Sequence, residues 1–162
     1  MRRLCRKWKL QYLDAEAQKY YDAVPTWGPH EDVPAGLAKV AKEIPLVILS
    51  NAMDDQIQHN VAMLGAPFYR VYTAQQAQAY KPRLKAFEFM LDSLGCNPED
   101  VAHVSSSLRY DHMSADDLGI VNKVFVNRGH GPGNAAYRYV EIKDIRWPRR
   151  ASVGPAVIPV PR

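Results

Sequence analysis

Pro45-Leu46-Val47-Ile48-Leu49-Ser50-Asn51 decides how the rest of the chain is read. Five apolar residues, two of them β-branched, run into two small polar ones. A continuous apolar run of this length predicts a strand buried on both faces, as in a parallel sheet. Such strands present ligand-binding groups at their C-terminal ends, in a crevice outside the sheet. Ser50 and Asn51 stand at that end, so the polar groups that follow later strands are their candidate partners.

Upstream, residues 10–24 place Leu10, Leu13, Ala17, Tyr20, Tyr21 and Val24 close to helical spacing. Asp14 and Glu16 suit the opening turn, and Pro25 follows the end. Val33, Leu37, Val40 and Ala41, with Pro34 near the first turn, predict a short helix that leads into the strand 46–49. Downstream, Ile57, Val61 and Leu64 form the stripe of a helix over 54–64, stopped by Gly65. A short strand over 68–72 follows. Pro82 disfavours helix at Lys81, so Tyr80-Lys81-Pro82 is expected to be extended. Leu84, Phe87, Leu91 and Leu94 give a helical face ended by Gly95. The strand 101–104 runs into Ser105-Ser106-Ser107, a helix covers 111–118, and a strand covers 123–127. A last short strand is expected over 139–142. This alternation predicts an α/β fold with a Rossmann-like parallel sheet and helices on both faces. Gly129-His130-Gly131-Pro132-Gly133 follows a strand, but Pro132 and the lack of a following helix argue against a dinucleotide fingerprint.

Composition narrows the class. With 162 residues, 47% hydrophobic and 23% charged, the chain is long enough for one domain with a real core. No apolar run approaches the roughly 20 residues needed to cross a bilayer, and no apolar segment follows the basic N-terminus as in a signal peptide. A cytoplasmic location is the default expectation, with no membrane partner. Cys5 and Cys96 form no ligand cluster and are expected as free thiols. The net charge of +4 gathers at the two ends of the chain, which does not make the single-faced patch that nucleic-acid binding needs.

Three polar groups fall after strands or at a helix start: Ser50-Asn51, Lys81, and Ser106 with Asp111. In a doubly wound sheet all three line one edge, which brings a cation, an acid and hydroxyls round one crevice.

Leu49-Ser50-Asn51 after a buried strand, Tyr80-Lys81-Pro82 before a helix, and Val104-Ser105-Ser106-Ser107-Leu108-Arg109-Tyr110-Asp111 before another resemble motifs two, three and four of the haloacid dehalogenase superfamily. The likeness is greatest to its metal-free 2-haloacid dehalogenase branch, to which Val126-Asn127-Arg128-Gly129 is also similar, and it covers roughly residues 27–146. The resemblance implies a two-step hydrolysis of a small 2-haloacid or related carboxylic acid without a cofactor. An aspartate displaces halide, and water then cleaves the ester. It implies that Ser50 bonds the substrate carboxylate, Asn51 holds the departing halide, and Lys81 keeps the nucleophile ionised. Ser106 would orient polar groups nearby, and Asp111 would pair with Lys81 and help activate water. Superfamily phosphatases carry an acid at the position of Ser106 for Mg²⁺; a serine there favours halide displacement over phosphoryl transfer.

The departures from the family pattern are as specific. Its first motif, an apolar strand ending in Asp-x-x-Gly-Thr, has no counterpart in Met1-Arg2-Arg3-Leu4-Cys5-Arg6-Lys7-Trp8, and Asp14 lies in a helical pattern. Phe87 and Leu108 stand where the branch commonly has tyrosine and asparagine. The expectation is a truncated relative that lacks the first central strand, between the strands ending at Ser50 and Ser105, and is inactive or incomplete alone. Residues 1–28 would be a remnant of the helical cap and its linker, 29–146 the α/β core, and 147–162 a Pro-rich tail. The alternatives are a non-catalytic remnant that binds a small acid or a partner chain, and a superfamily phosphatase. Assembly as a homodimer is left open.

Overall fold

The computed structural model describes residues 1–146; the tail expected over 147–162 lies outside the described residues. The chain opens with α1 (Arg2–Lys7), α2 (Asp14–Ala23) and a 3-10 turn, Val24–Thr26, in which Pro25 takes over from the α-helix. No residue of these three elements is buried. Polar contacts dock α2 on α4 (Asp54–Met63) instead. The Tyr21 hydroxyl donates to Asp55 (2.8 Å), Gln56 Nε2 donates to the Tyr21 carbonyl (3.2 Å), and Asn60 Nδ2 donates to the carbonyls of Val24 and Trp27.

Then α3 (Val33–Val40), with Pro34 in its first turn, leads to β1 (Val47–Ser50). After α4 come β2 (Arg70–Thr73), the single-turn α5 (Ala74–Ala77) and α6 (Leu84–Leu94). Gly95 ends α6 at φ +64°, a conformation that costs glycine nothing. β3 (Ala102–Ser105) runs into a π-helical turn, Leu108–His112, and on into α7 (Met113–Asp117); β4 (Asn122–Val126) and β5 (Val140–Ile142) complete the order.

Every strand pair is parallel, as expected from the alternation of strands and helices. The pairs form two sheets, β1–β2 and β3–β4–β5, and among the described residues no ladder joins them. This break corrects the reading of Leu46–Leu49 as buried on both faces. All four residues of β1 are only half-buried, because β2 alone flanks it. β3 is likewise flanked on one side, and Val104 in its middle is 53% exposed. β4 has a neighbour on each side and buries Lys123, Val124, Phe125 and Val126.

Helix α6 spans the break. Its buried stripe is Ala86, Phe87, Met90 and Leu91, while Leu84 stays exposed, one step round from the expected face. Met90 and Leu91 pack with Tyr72, Val47 and Leu49 of the first sheet. The fully buried Phe87 ring lies 5.5 Å from the His103 ring on β3. A second tie runs from the α3 N-terminus to the far side of the other sheet. Asp32 Oδ2 accepts from Arg128 (2.8 Å) and from the backbone N–H of Ile145 (2.7 Å). Chiefly the Arg128 hydrogen bond, opposed by burial and helped by the Ile145 amide, holds the Asp32 carboxyl at about 2 instead of 3.8. Gly36 sits under Ile145, where a Cβ would come within 2.6 Å of its side chain and carbonyl. Cys5 and Cys96 are free thiols. No described helix is long and apolar enough to cross a membrane.

Candidate active site

The two sheets meet through side chains at their C-terminal ends. Asn51, just past β1, has both ends of its amide on the backbone of Lys81: Oδ1 accepts from the Lys81 N–H (2.7 Å) and Nδ2 donates to its carbonyl (3.1 Å). Where the sequence suggests an extended segment, residues 80–83 form a tight turn with a cis Lys81–Pro82 peptide bond. Ser114 Oγ of α7 donates to the Pro82 carbonyl (2.6 Å), which pins the turn from the opposite side.

Held this way, Lys81 Nζ lies 2.7 Å from Asp111 Oδ1, with only 14% and 6% of the two side chains exposed. Asp111 reaches this position because the helix expected over 111–118 starts earlier, with a π turn. Ser107 Oγ caps it by accepting from the Tyr110 N–H, and the His112 N–H donates to the Ser107 carbonyl. The wider turn sets Asp111 and His112 inward on consecutive residues. Burial pushes the Asp111 carboxyl up, but His103 and Lys81 outweigh it and hold it at about 2 instead of 3.8. The site therefore keeps an ionised acid beside an ammonium, and among the described residues one of the three Lys81 Nζ–H donors is used, on Asp111.

The serines divide. Ser50 Oγ accepts from the Ala52 N–H, and Ser105 Oγ from the Ser107 N–H, so both shape turns and keep a hydroxyl hydrogen to offer. Ser106 is exposed, and among the described residues no hydrogen bond joins it to Lys81 or Asp111. Thus Asn51, Lys81 and Asp111 come together with Ser50 adjacent, and Ser106 stands on the outer face of the loop.

Two histidines were not legible as site residues. His103 Nε2 lies 3.2 Å from Asp111 Oδ1, on the same oxygen as Lys81. Its signal was a titratable residue inside a strand whose end carries the polar groups. His112 is fully buried, its Nε2 3.1 Å from the Ser105 carbonyl, and burial pushes its pKa down. A carbonyl can only accept, so Nε2 carries the hydrogen, and Nδ1 is buried with no hydrogen-bond partner among the described residues. Among the described residues no group of three or more His, Cys, Asp or Glu is gathered to hold a metal ion.

Comparison with known proteins gives the same direction. An (S)-2-haloacid dehalogenase of Burkholderia cepacia is 32% identical over 102 residues, which is 60% of this chain and 42% of that protein. The L-2-haloacid dehalogenase of Xanthobacter autotrophicus superposes with a TM-score of 0.65 at 26% identity, over 75% of this chain and 49% of its own. A crystal structure of a dehalogenase superposes with a TM-score of 0.70 at 22% identity, over 87% of this chain and 64% of its own. The chain thus spans less than two thirds of the length of these relatives. Residues 4–124 match the model of the haloacid dehalogenase-like hydrolases. By this match, over most of a chain with parallel α/β architecture, the chain belongs to the haloacid dehalogenase-like hydrolase family.

Proposed function

We propose that the chain forms the acid-binding core of a hydrolase that removes halide from small 2-haloalkanoic acids. The Lys81–Asp111 pair carries this reading: it is nearly buried, clamped by Asn51, and sits where both sheets end. In the proposed reaction a carboxylate oxygen attacks the carbon bearing the halogen. The carbon–oxygen bond forms as halide leaves with the bonding pair. Water then attacks the ester carbonyl, giving the 2-hydroxy acid, a proton and the regenerated carboxylate. Lys81 favours the ionised nucleophile, and the Ser50 hydroxyl donates to the substrate carboxylate. Asn51, whose amide is already engaged on Lys81, has one N–H left to offer the halide. Asp111 is too weak a base to hold the proton, so it orients the water by accepting its hydrogen and balances Lys81. Ser106 contributes a hydroxyl at the loop edge and no carboxylate, which supports halide displacement over Mg²⁺-dependent phosphoryl transfer.

The reaction needs a second carboxylate as its nucleophile. Among the described residues Asp111 is the carboxylate paired with Lys81, and it serves as the partner. We assign the nucleophile to a strand between β1 and β3 that residues 1–146 do not form. The purified chain is expected to release no halide from 2-chloropropionate, yet to bind it, with NMR shifts at the Asn51 and Lys81 amides that Lys81→Met removes. Halide release abolished by Lys81→Ala would overturn the first expectation, and an unperturbed spectrum the second. The open edges of β1 and β3 favour one other reading, a non-catalytic chain that accepts a strand from a partner. That protein would show no saturable site for the acid.

A further inference from the structure

Asp111 Oδ1 is approached from two independent elements. Lys81 Nζ comes from the turn after α5 at 2.7 Å, and His103 Nε2 comes from inside β3 at 3.2 Å. The two donors differ in stiffness. A lysine ammonium is a point charge on a long stem and holds a carboxylate in many orientations. The His103 imidazole has little freedom. The Phe87 ring lies 5.5 Å away on one side, and the His112 ring meets it edge-on at 5.9 Å. Phe87 and His112 are both fully buried, so the ring's plane is set by packing.

The charges around the imidazole are few. From the π turn come Asp111 and the His112 ring, and from the turn after α5 comes Lys81. From α6 the Phe87 ring packs against it. On the neighbouring strand Lys123 is in register with His103, but its Nζ is used on Asp116 Oδ1 and the Ile120 carbonyl (2.8 Å each). Asp111 is therefore the anion that His103 meets. An ionised carboxylate only accepts, so the bond requires the hydrogen on Nε2.

We propose that His103 is a positioning residue of this site: through Nε2–H it fixes the Asp111 carboxylate, and through Asp111 it fixes Lys81 against a bound acid. Its bearing on ligand rests on the acid-binding reading given above, whereas the His103–Asp111 bond stands on geometry alone. Nothing in the motifs after the strands points to this residue, because it acts from within β3.

Histidine-selective ¹⁵N NMR of the full chain near neutral pH tests the bond. His103 should show a protonated, pyrrole-type Nε2 with a slowly exchanging Nε2–H. In Asp111→Asn that proton should move upfield and exchange faster. In Lys81→Met it should move downfield, because the carboxylate then leans on one donor fewer. The Lys81→Met arm stands if Asp111→Asn does not fold. A dominant Nδ1–H tautomer, or an Nε2–H resonance that neither variant moves, overturns the proposal. Titration with 2-chloropropionate tests the consequence. His103→Phe should weaken binding about tenfold, the scale of a hydrogen bond to a charged group, and His103→Gln should restore most of it. Equal affinity of the Phe and Gln variants overturns the positioning role. Wild-type protein that shows the tautomer signature but binds no acid overturns the acid-site reading and leaves the His103–Asp111 bond intact.

Discussion

Lys81→Met removes one ammonium and keeps the stem that fills the turn. Asp111 then stays buried with His103 as its remaining donor. Burial alone raises the carboxyl's pKa; His103 and Lys81 together bring it from 3.8 to about 2. That lowering corresponds to about 2–3 kcal/mol of net stabilisation at neutral pH. Leaving a buried charge wholly unpaired costs about 3–5 kcal/mol. With His103 still donating, the expected loss is about 2 kcal/mol, or a Tm about 4–8 °C lower for a chain of this size. The folded-state pKa is depressed, so the wild-type contribution is complete above the unfolded value near 4 and fades as pH falls through about 2. The gap between wild type and variant should therefore be widest at pH 7 and shrink at pH 3. Urea unfolding at both pH values measures it. Lys19→Met is the control, since the Lys19–Glu16 pair is 73% and 54% exposed and such pairs contribute little. A gap that is the same at both pH values, or no larger than the control's, would refute the account of Asp111.

Other variants probe the ties around this pair. Asn51→Ala frees both backbone groups of Lys81 and should destabilise by about 1–2 kcal/mol, with faster hydrogen exchange at the Lys81 amide as the direct readout. Gly36→Ala drives a methyl group into Ile145 and should cost about 1–3 kcal/mol, seen as a lower urea midpoint at unchanged slope. Asp32→Asn replaces the carboxyl that Arg128 holds at about 2. Wild-type stability should fall as pH drops from 4 towards 2, and the variant's Tm-versus-pH curve should lack that part of the fall.

Most local structure followed from short-range chemistry. The apolar run before Ser50, the acidic first turn of α2 and Gly95 after α6 each fixed an element within a residue or two. A doubly wound sheet put Lys81 and Asp111 at one edge, and the family resemblance implied that they pair; their side chains lie 2.7 Å apart. Long-range effects were not legible. A π turn has no composition of its own, so the register that turns Asp111 inward was hidden in Leu108–His112. His103 reads as one more strand residue until the π turn brings an acid to it. Asp32 and Arg128 lie too far apart in the chain for any local pattern to pair them. The burial of β1 was overestimated because an apolar run reports what a strand can bury, and its neighbours decide what it does bury.

The divided sheet leaves two sets of strands fastened to each other by side chains. Among the described residues β1–β2 and β3–β4–β5 share no backbone ladder, so they are coupled through Asn51, Lys81, Asp111 and Ser114, the tie of Asp32 to Arg128 and Ile145, and the hydrophobic span of α6. The residues that would greet a ligand are then also the ones that make the two halves melt together, and a ligand bridging them would raise the free energy of sub-global opening across the whole chain.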